Sequence, residues 1–220
     1  MNYSVTNTAK NAVEVNKVIR NTYTLLSITL FFSAIMAAVS VVVQMPPMTG
    51  LISMIGAFAL IWLVLPRTAN SANGIWVVFA ITGLLGFGLG PMLTQYLALP
   101  NGGELIATAF GGTGVIFLGL SGYALTSRKD FNFMGGFLMA GILMIFVVML
   151  ANIFLQIPAL SLAISAVIIL LMSGFILYDT SRMIHDPNSN YIMMTVSLYL
   201  NIFNLFVHLL HILGVMGGDD

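Results

Sequence analysis

The run KVIRNTYTLLSITLFFSAIMAAVSVVVQMPP (residues 17–47) sets two cations, an uncharged apolar segment over 25–43 and two prolines one after another. A helix needs about 20 apolar residues to cross a bilayer. Proline ends a helix because it lacks a donor and its ring clashes with the preceding turn. The run therefore reads as a basic flank, a membrane span and a stop. The same unit recurs along the chain, with apolar runs over 25–43, 48–65, 75–93, 106–126, 133–155, 160–177 and 191–213. Pro46, Pro47, Pro66, Pro100, Pro158 and Pro187 fall in the connections, while Pro91 is expected to kink or end the third span. An all-α integral membrane protein with seven transmembrane helices is the expected fold.

Composition agrees. Hydrophobic residues make up 59% of the chain and charged residues 6%, against about 25% charged in a soluble domain. The formal charge is zero, so nothing points to nucleic acid, which calls for a basic patch. There is no cysteine, hence no disulfide and no thiolate metal site.

The seven Lys and Arg residues orient the spans. Lys10, Lys17 and Arg20 precede the first span, Arg67 follows the second, Arg128 and Lys129 follow the fourth, and Arg182 follows the sixth. All fall on one side once seven crossings are counted. Basic residues favour cytoplasmic loops, which predicts a cytoplasmic N-terminus and an external C-terminus. The expected divisions are a cytoplasmic tail over 1–24, the membrane domain over 25–213 and a short external tail over 214–220. A cleaved leader is not expected, because a signal core spans about 7–15 residues and this apolar run is longer. Residues 8–20 can form an amphipathic helix, with Lys10, Glu14 and Lys17 at helical pair spacings and Ala12, Val15, Val18 and Ile19 on the apolar face. The alternative is a solvated leader that only sets topology.

Close packing at small residues has to associate helices in lipid, where apolar burial gives no gain. Gly86-x-x-x-Gly90 in the third span, Gly111, Gly112 and Gly114 in the fourth, and Gly136-x-x-x-Ala140 in the fifth are the expected contact points. The Gly111-Gly112-Thr113-Gly114 run resembles a phosphate loop but lacks its Lys-Ser/Thr ending and does not follow a strand.

Ionisable residues inside a membrane are costly and mark function. Asp179 stands at the end of the sixth run, either as a functional group or as a local helix-end partner of Arg182. The last span carries Asn190, Ser197, Asn201, Asn204, His208 and His211 at helical spacings. Leu198, Leu200, Ile202, Phe203, Phe206 and Leu209 fill its other faces. Such a stripe cannot face lipid with its groups unsatisfied, so it is expected to turn toward other helices or a wet cavity. Ser197 and Asn204 are expected to bond across helices. His208 and His211 are candidates for proton sensing. They fall short of a zinc site, which needs three or four ligands, so no metal and no cofactor is expected. His185 is expected to be solvated.

Several segments together resemble the Bax inhibitor family of small seven-helix membrane proteins. They are Val18-Ile-Arg-Asn-Thr-Tyr23, Gly86-Phe-Gly-Leu-Gly-Pro91, Ser121-Gly-Tyr-Ala-Leu-Thr-Ser-Arg-Lys-Asp130, Met134-Gly-Gly136, Ala151-Asn-Ile-Phe-Leu-Gln-Ile-Pro158, Ile176-Leu-Tyr-Asp179 and Val196-Ser-Leu-Tyr-Leu200. The similarity runs nearly end to end and is nearest to the bacterial branch that modulates the membrane-anchored AAA protease FtsH. It implies a bundle whose last helix is central, in agreement with the polar stripe, in a bacterial inner membrane. For calcium-leak members it also implies an aspartate pair on the sixth and seventh helices, held closed with help from an arginine. Asp179 matches the first aspartate, Asn201 stands where leak-type relatives carry the second, and Arg67 matches the arginine. Two close carboxylates titrate as a coupled unit, whereas a carboxylate beside an amide does not. Calcium also prefers six to eight oxygens with several carboxylates.

Three function classes follow. An aspartyl protease would need a second membrane carboxylate, and Asp219 and Asp220 lie beyond the last helix. With no Gly-x-Ser-x-Gly elbow either, the expectation is that the protein is not an enzyme. A pH-sensitive calcium leak, weakened by Asn201, is the alternative. The favoured reading is a partner of the protease that inhibits it and is its slow substrate, with the N-terminal tail as the cytoplasmic handle.

Overall fold

The computed structural model describes residues 2–186 and 188–217, with side chains from Val13 onward. Pro187, Asp219 and Asp220 lie outside the described residues, as do the side chains of Lys10 and Ala12 on the expected tail face. The described elements are helices: α1 (Asn2–Val42), α2 (Met48–Ala59), a π-helical turn (Leu60–Val64), α3 (Leu65–Thr68), α4 (Asn73–Leu97), α5 (Gly102–Ser127), a 3-10 turn (Asn132–Met134), α6 (Gly135–Leu155), α7 (Pro158–His185) and α8 (Tyr191–Gly217). With α2, the π turn and α3 taken as one rod, seven helices among the described residues are long and apolar enough to cross a membrane. The chain is an all-α protein of seven spans.

The boundaries depart from the apolar runs in instructive ways. Neither Gly nor Pro occurs between Asn2 and Val42, so nothing stops the expected tail helix from merging with the first span, and α1 is continuous. Pro66 does not end the second span. The backbone widens into π register before it, and Leu65 N–H bonds to Leu60 O. Such a bulge re-aims the carbonyls that the proline ring would otherwise meet, so helix resumes to Thr68. Pro91 likewise lies inside α4, which continues to Leu97. Three helices stop at long polar residues in left-handed backbone, Gln44, Arg128 and Gln156, with φ of 53°, 49° and 52°. After α6, Gln156 N–H bonds to Asn152 O at 2.8 Å, and the Asn152 side-chain oxygen accepts from Ile157 N–H at 3.1 Å. Backbone groups at the helix end are thus satisfied without a glycine.

The chain divides into two compact units, one of residues up to Gln95 with Met183–Tyr199, the other of Tyr96–Arg182 with the chain from Leu200 onward. In the first unit, α4 lays a glycine face on α1. A methyl at Gly86 would strike the Ser33 carbonyl, one at Gly90 would strike Ser40, and one at Gly83 would reach the Phe32 ring at 2.8 Å. This is the close approach expected of Gly86-x-x-x-Gly90. Gly88 meets Ser53 of α2 at 3.0 Å in the same way. Tyr199 of α8 is fully buried and donates its hydroxyl to Thr82 O at 3.2 Å. Its oxygen lies 2.6 Å from Ser33 Oγ. Since the Tyr199 proton is committed to Thr82, Ser33 is the donor in that pair. Asn190 caps α8, accepting from Ile192 N–H at 2.9 Å, and its amide donates to Ala69 O at 3.0 Å and to Asn70 Oδ1 at 2.7 Å.

In the second unit the expected glycine contacts are corrected. Gly111, Gly114 and Gly136 have open space where a Cβ would stand, and Gly112 makes only ordinary contact with Leu209. Close approach occurs instead at Gly135 against Tyr178, Gly141 against Leu171 and Gly174 against Leu138. Which glycine is used depends on which face of a helix meets a neighbour, and an all-apolar helix carries no periodicity that reveals it. α6 turns Phe137, Leu143, Val147, Phe154 and others outward, an apolar surface suited to lipid.

Candidate functional site

α7 carries the one acidic side chain of the second unit's membrane segments that is buried, Asp179, only 2% exposed. The helix runs on to His185, so Asp179 stands well inside it rather than at its end. Its carboxylate is enclosed by protein rather than exposed at the helix end. Burial of a charged or polar group is tolerated when it is hydrogen-bonded. Asn201 of α8, itself buried, supplies such a bond, its Nδ2 donating to Asp179 Oδ2 at 2.8 Å. The two residues singled out by sequence are thus brought together across two helices of one unit. Arg182 is half-buried one turn on, its guanidinium 5.6 Å from the Tyr178 ring centre, a cation–π distance. Arg67 is exposed on α3, in the first unit.

Along α8, polar residues take different roles. His208 Nδ1 and His211 Nδ1 both approach Ser165 Oγ of α7, at 3.0 Å and 2.9 Å. Asn204 was expected to bond across helices. Its amide instead donates to Leu200 O of its own helix at 2.8 Å. Ser197 is half-buried. Only Met193, Val215 and Met216 among the described residues of α8 are exposed, so the helix is enclosed on its apolar faces as well as along its polar stripe.

Sequence reasoning missed Ser165, which is 2% exposed. One signal was available, since Ser165 and Asp179 are separated by close to four helical turns and share a face of α7. It also missed Tyr199 as a polar tie and Ser181, whose buried hydroxyl accepts from Phe131 N–H at 2.9 Å. A serine among leucines looks like packing until its partner is placed.

Chemically, Asp179 and Asn201 offer a carboxylate and an amide oxygen. That is far from the six to eight oxygens calcium prefers. Among the described residues, no three His, Cys, Asp or Glu side chains gather at one point.

The chain is 51% identical over 207 residues to the modulator of FtsH protease YccA of Escherichia coli K12, covering 94% of each chain. The same identity and coverage relate it to a protein of E. coli O6:H1 named inner membrane protein YccA. An uncharacterized membrane protein of Vibrio cholerae is 47% identical over 218 residues, 99% of this chain and 98% of that one. The family described as inhibitor of apoptosis-promoting Bax1 matches residues 15–218. On that match, which reaches all seven spans and includes the Asp179–Asn201 pair, the chain belongs to the Bax inhibitor family.

Proposed function

We propose that this protein binds a membrane-anchored AAA protease of the FtsH type in the bacterial inner membrane and modulates it. The observation that carries the reading is 51% identity across 94% of both chains to a relative named for that role. The protein acts by binding rather than by catalysis, with its N-terminus in the cytoplasm and its C-terminus outside, as the one-sided distribution of Lys and Arg supports. The N-terminal part of α1 is the handle offered to the cytoplasmic unfoldase. The test is co-purification with the protease from detergent extracts, for the full chain and for a chain lacking residues before Ala12, together with pulse-chase lifetimes. The full chain should co-purify, and the truncated chain should persist longer while still inhibiting. Absence of co-purification and an unchanged lifetime would together refute the reading.

A second reading, a calcium leak through the Asp179–Asn201 region, is favoured by one observation: the two positions implied by the family resemblance meet at 2.8 Å. The donor there is an amide. It adds no second carboxyl that could share a proton with Asp179, so any flux should be weak and little changed by acid. Arg182, His208 and His211, in the same unit, are further candidates for gating such a path.

A further inference from the structure

We infer that Ser165, His208 and His211 form a binding site for a single proton, which ties α7 to α8 in the second unit. It is independent of the protease and leak readings. Ser165 Oγ stands 3.0 Å from His208 Nδ1 and 2.9 Å from His211 Nδ1, and each contact needs exactly one hydrogen between its atoms. The hydroxyl has one hydrogen to give. It can therefore serve at most one of the two rings, and at least one imidazole carries its hydrogen on Nδ1. That ring's other nitrogen is left as a lone-pair acceptor.

Adding one proton costs no hydrogen bond. The ring that accepted from Ser165 becomes a donor to it, and both Nδ1–H groups then point at the two lone pairs of Oγ. The hydroxyl hydrogen then turns away from both rings, and both Nδ1–Oγ contacts are kept. A second proton adds no further bond and puts two like charges side by side on consecutive turns of α8.

The surroundings hold little else that titrates. On α5, which packs on α8 through Phe110 and Phe206, the ionisable residues are Glu104 and Tyr123, both exposed. α6 has none. On α7, Tyr178, Asp179 and Arg182 lie more than three turns from Ser165. Tyr96 reaches α8 at Gly214, one turn beyond His211. The two histidines are thus each other's principal charged neighbours, and both are half-buried, which leaves a route for a proton.

The experiment is a histidine titration of the full chain in lipid nanodiscs, 15N-labelled at histidine and read by NMR over roughly pH 5 to 8. Free histidine in the same buffer is the reference for uptake of one full proton. His208 and His211 should together take up one proton, with their Nδ1 resonances moving jointly. Ser165→Ala should separate the two responses, and Ser165→Thr, which keeps the hydroxyl, should preserve the joint one. Uptake of two protons or of none by the pair would overturn the assignment. So would an unchanged response in Ser165→Ala, or one equivalent of Zn2+ abolishing the titration, which would make the cluster a metal site. The wild-type count decides the matter even if Ser165→Ala does not fold.

Discussion

Replacing Gly86 by alanine tests the packing logic of the first unit. The added methyl would lie too close to the Ser33 carbonyl of α1, and the same point meets Ser33 Oγ and its carbonyl carbon. Two of those atoms are backbone, so no rotamer change relieves the clash and α1 must move away from α4. Overpacking of a tight contact costs about 1–3 kcal/mol. The upper end applies here, because Gly83 and Gly90 hold the same interface and Ser33 also donates to Tyr199. Alanine recovers about 1 kcal/mol of helix propensity relative to glycine, leaving a net loss of about 2 kcal/mol. Gly111→Ala is the control, since nothing lies within 4 Å of its Cβ position. It should be neutral or gain up to about 1 kcal/mol. Both variants can be unfolded by SDS in mixed micelles and followed by tryptophan fluorescence, as Trp62 and Trp76 both lie in the first unit. Equal stability of the two variants, or a loss in Gly111→Ala alone, would refute the reasoning.

Further outcomes are expected. Tyr199→Phe removes a hydroxyl that links α8 to Thr82 and Ser33. It should lower stability by about 1 kcal/mol in the same unfolding assay, given the modest worth of hydrogen bonds between membrane helices; an unchanged midpoint would deny the tie any energetic role. Asn201→Asp places two carboxylates where a carboxylate and an amide now meet, a pair that titrates as a unit. Calcium flux into reconstituted vesicles should rise and become acid-sensitive, and strong acid-sensitive flux in the unaltered protein would reverse the order of the two proposed functions. The absence of cysteine allows single cysteines at Asn7 and Val215 to be labelled without background. They should react from opposite sides of the membrane, and labelling from one side would break the proposed orientation.

Seven spans were legible in the sequence because membrane crossing is a matter of length and apolarity, both properties of contiguous residues. Asp179 and Asn201 were legible for a related reason: a polar group among apolar ones is conspicuous wherever it finally lies. The family, too, was carried by ordered local segments. The tertiary structure decided what those groups touch. Gly86 and Gly111 look alike on paper, yet one is pressed on a backbone and the other faces open space, because the rotation of an all-apolar helix is set by its neighbours. Pro66 looked like a stop, and a π turn carried the helix past it, while Pro91, expected to kink or end its span, lies inside a helix that continues to Leu97. Asp179 read equally as a functional group or a helix-end partner of Arg182, and only the fold shows it as a buried acceptor for Asn201. Ser165, one serine among many, became the point where two histidines converge. Composition and periodicity are summed along the chain, whereas hydrogen-bond partners and glycine contacts depend on residues far apart in sequence, and only folding brings those together.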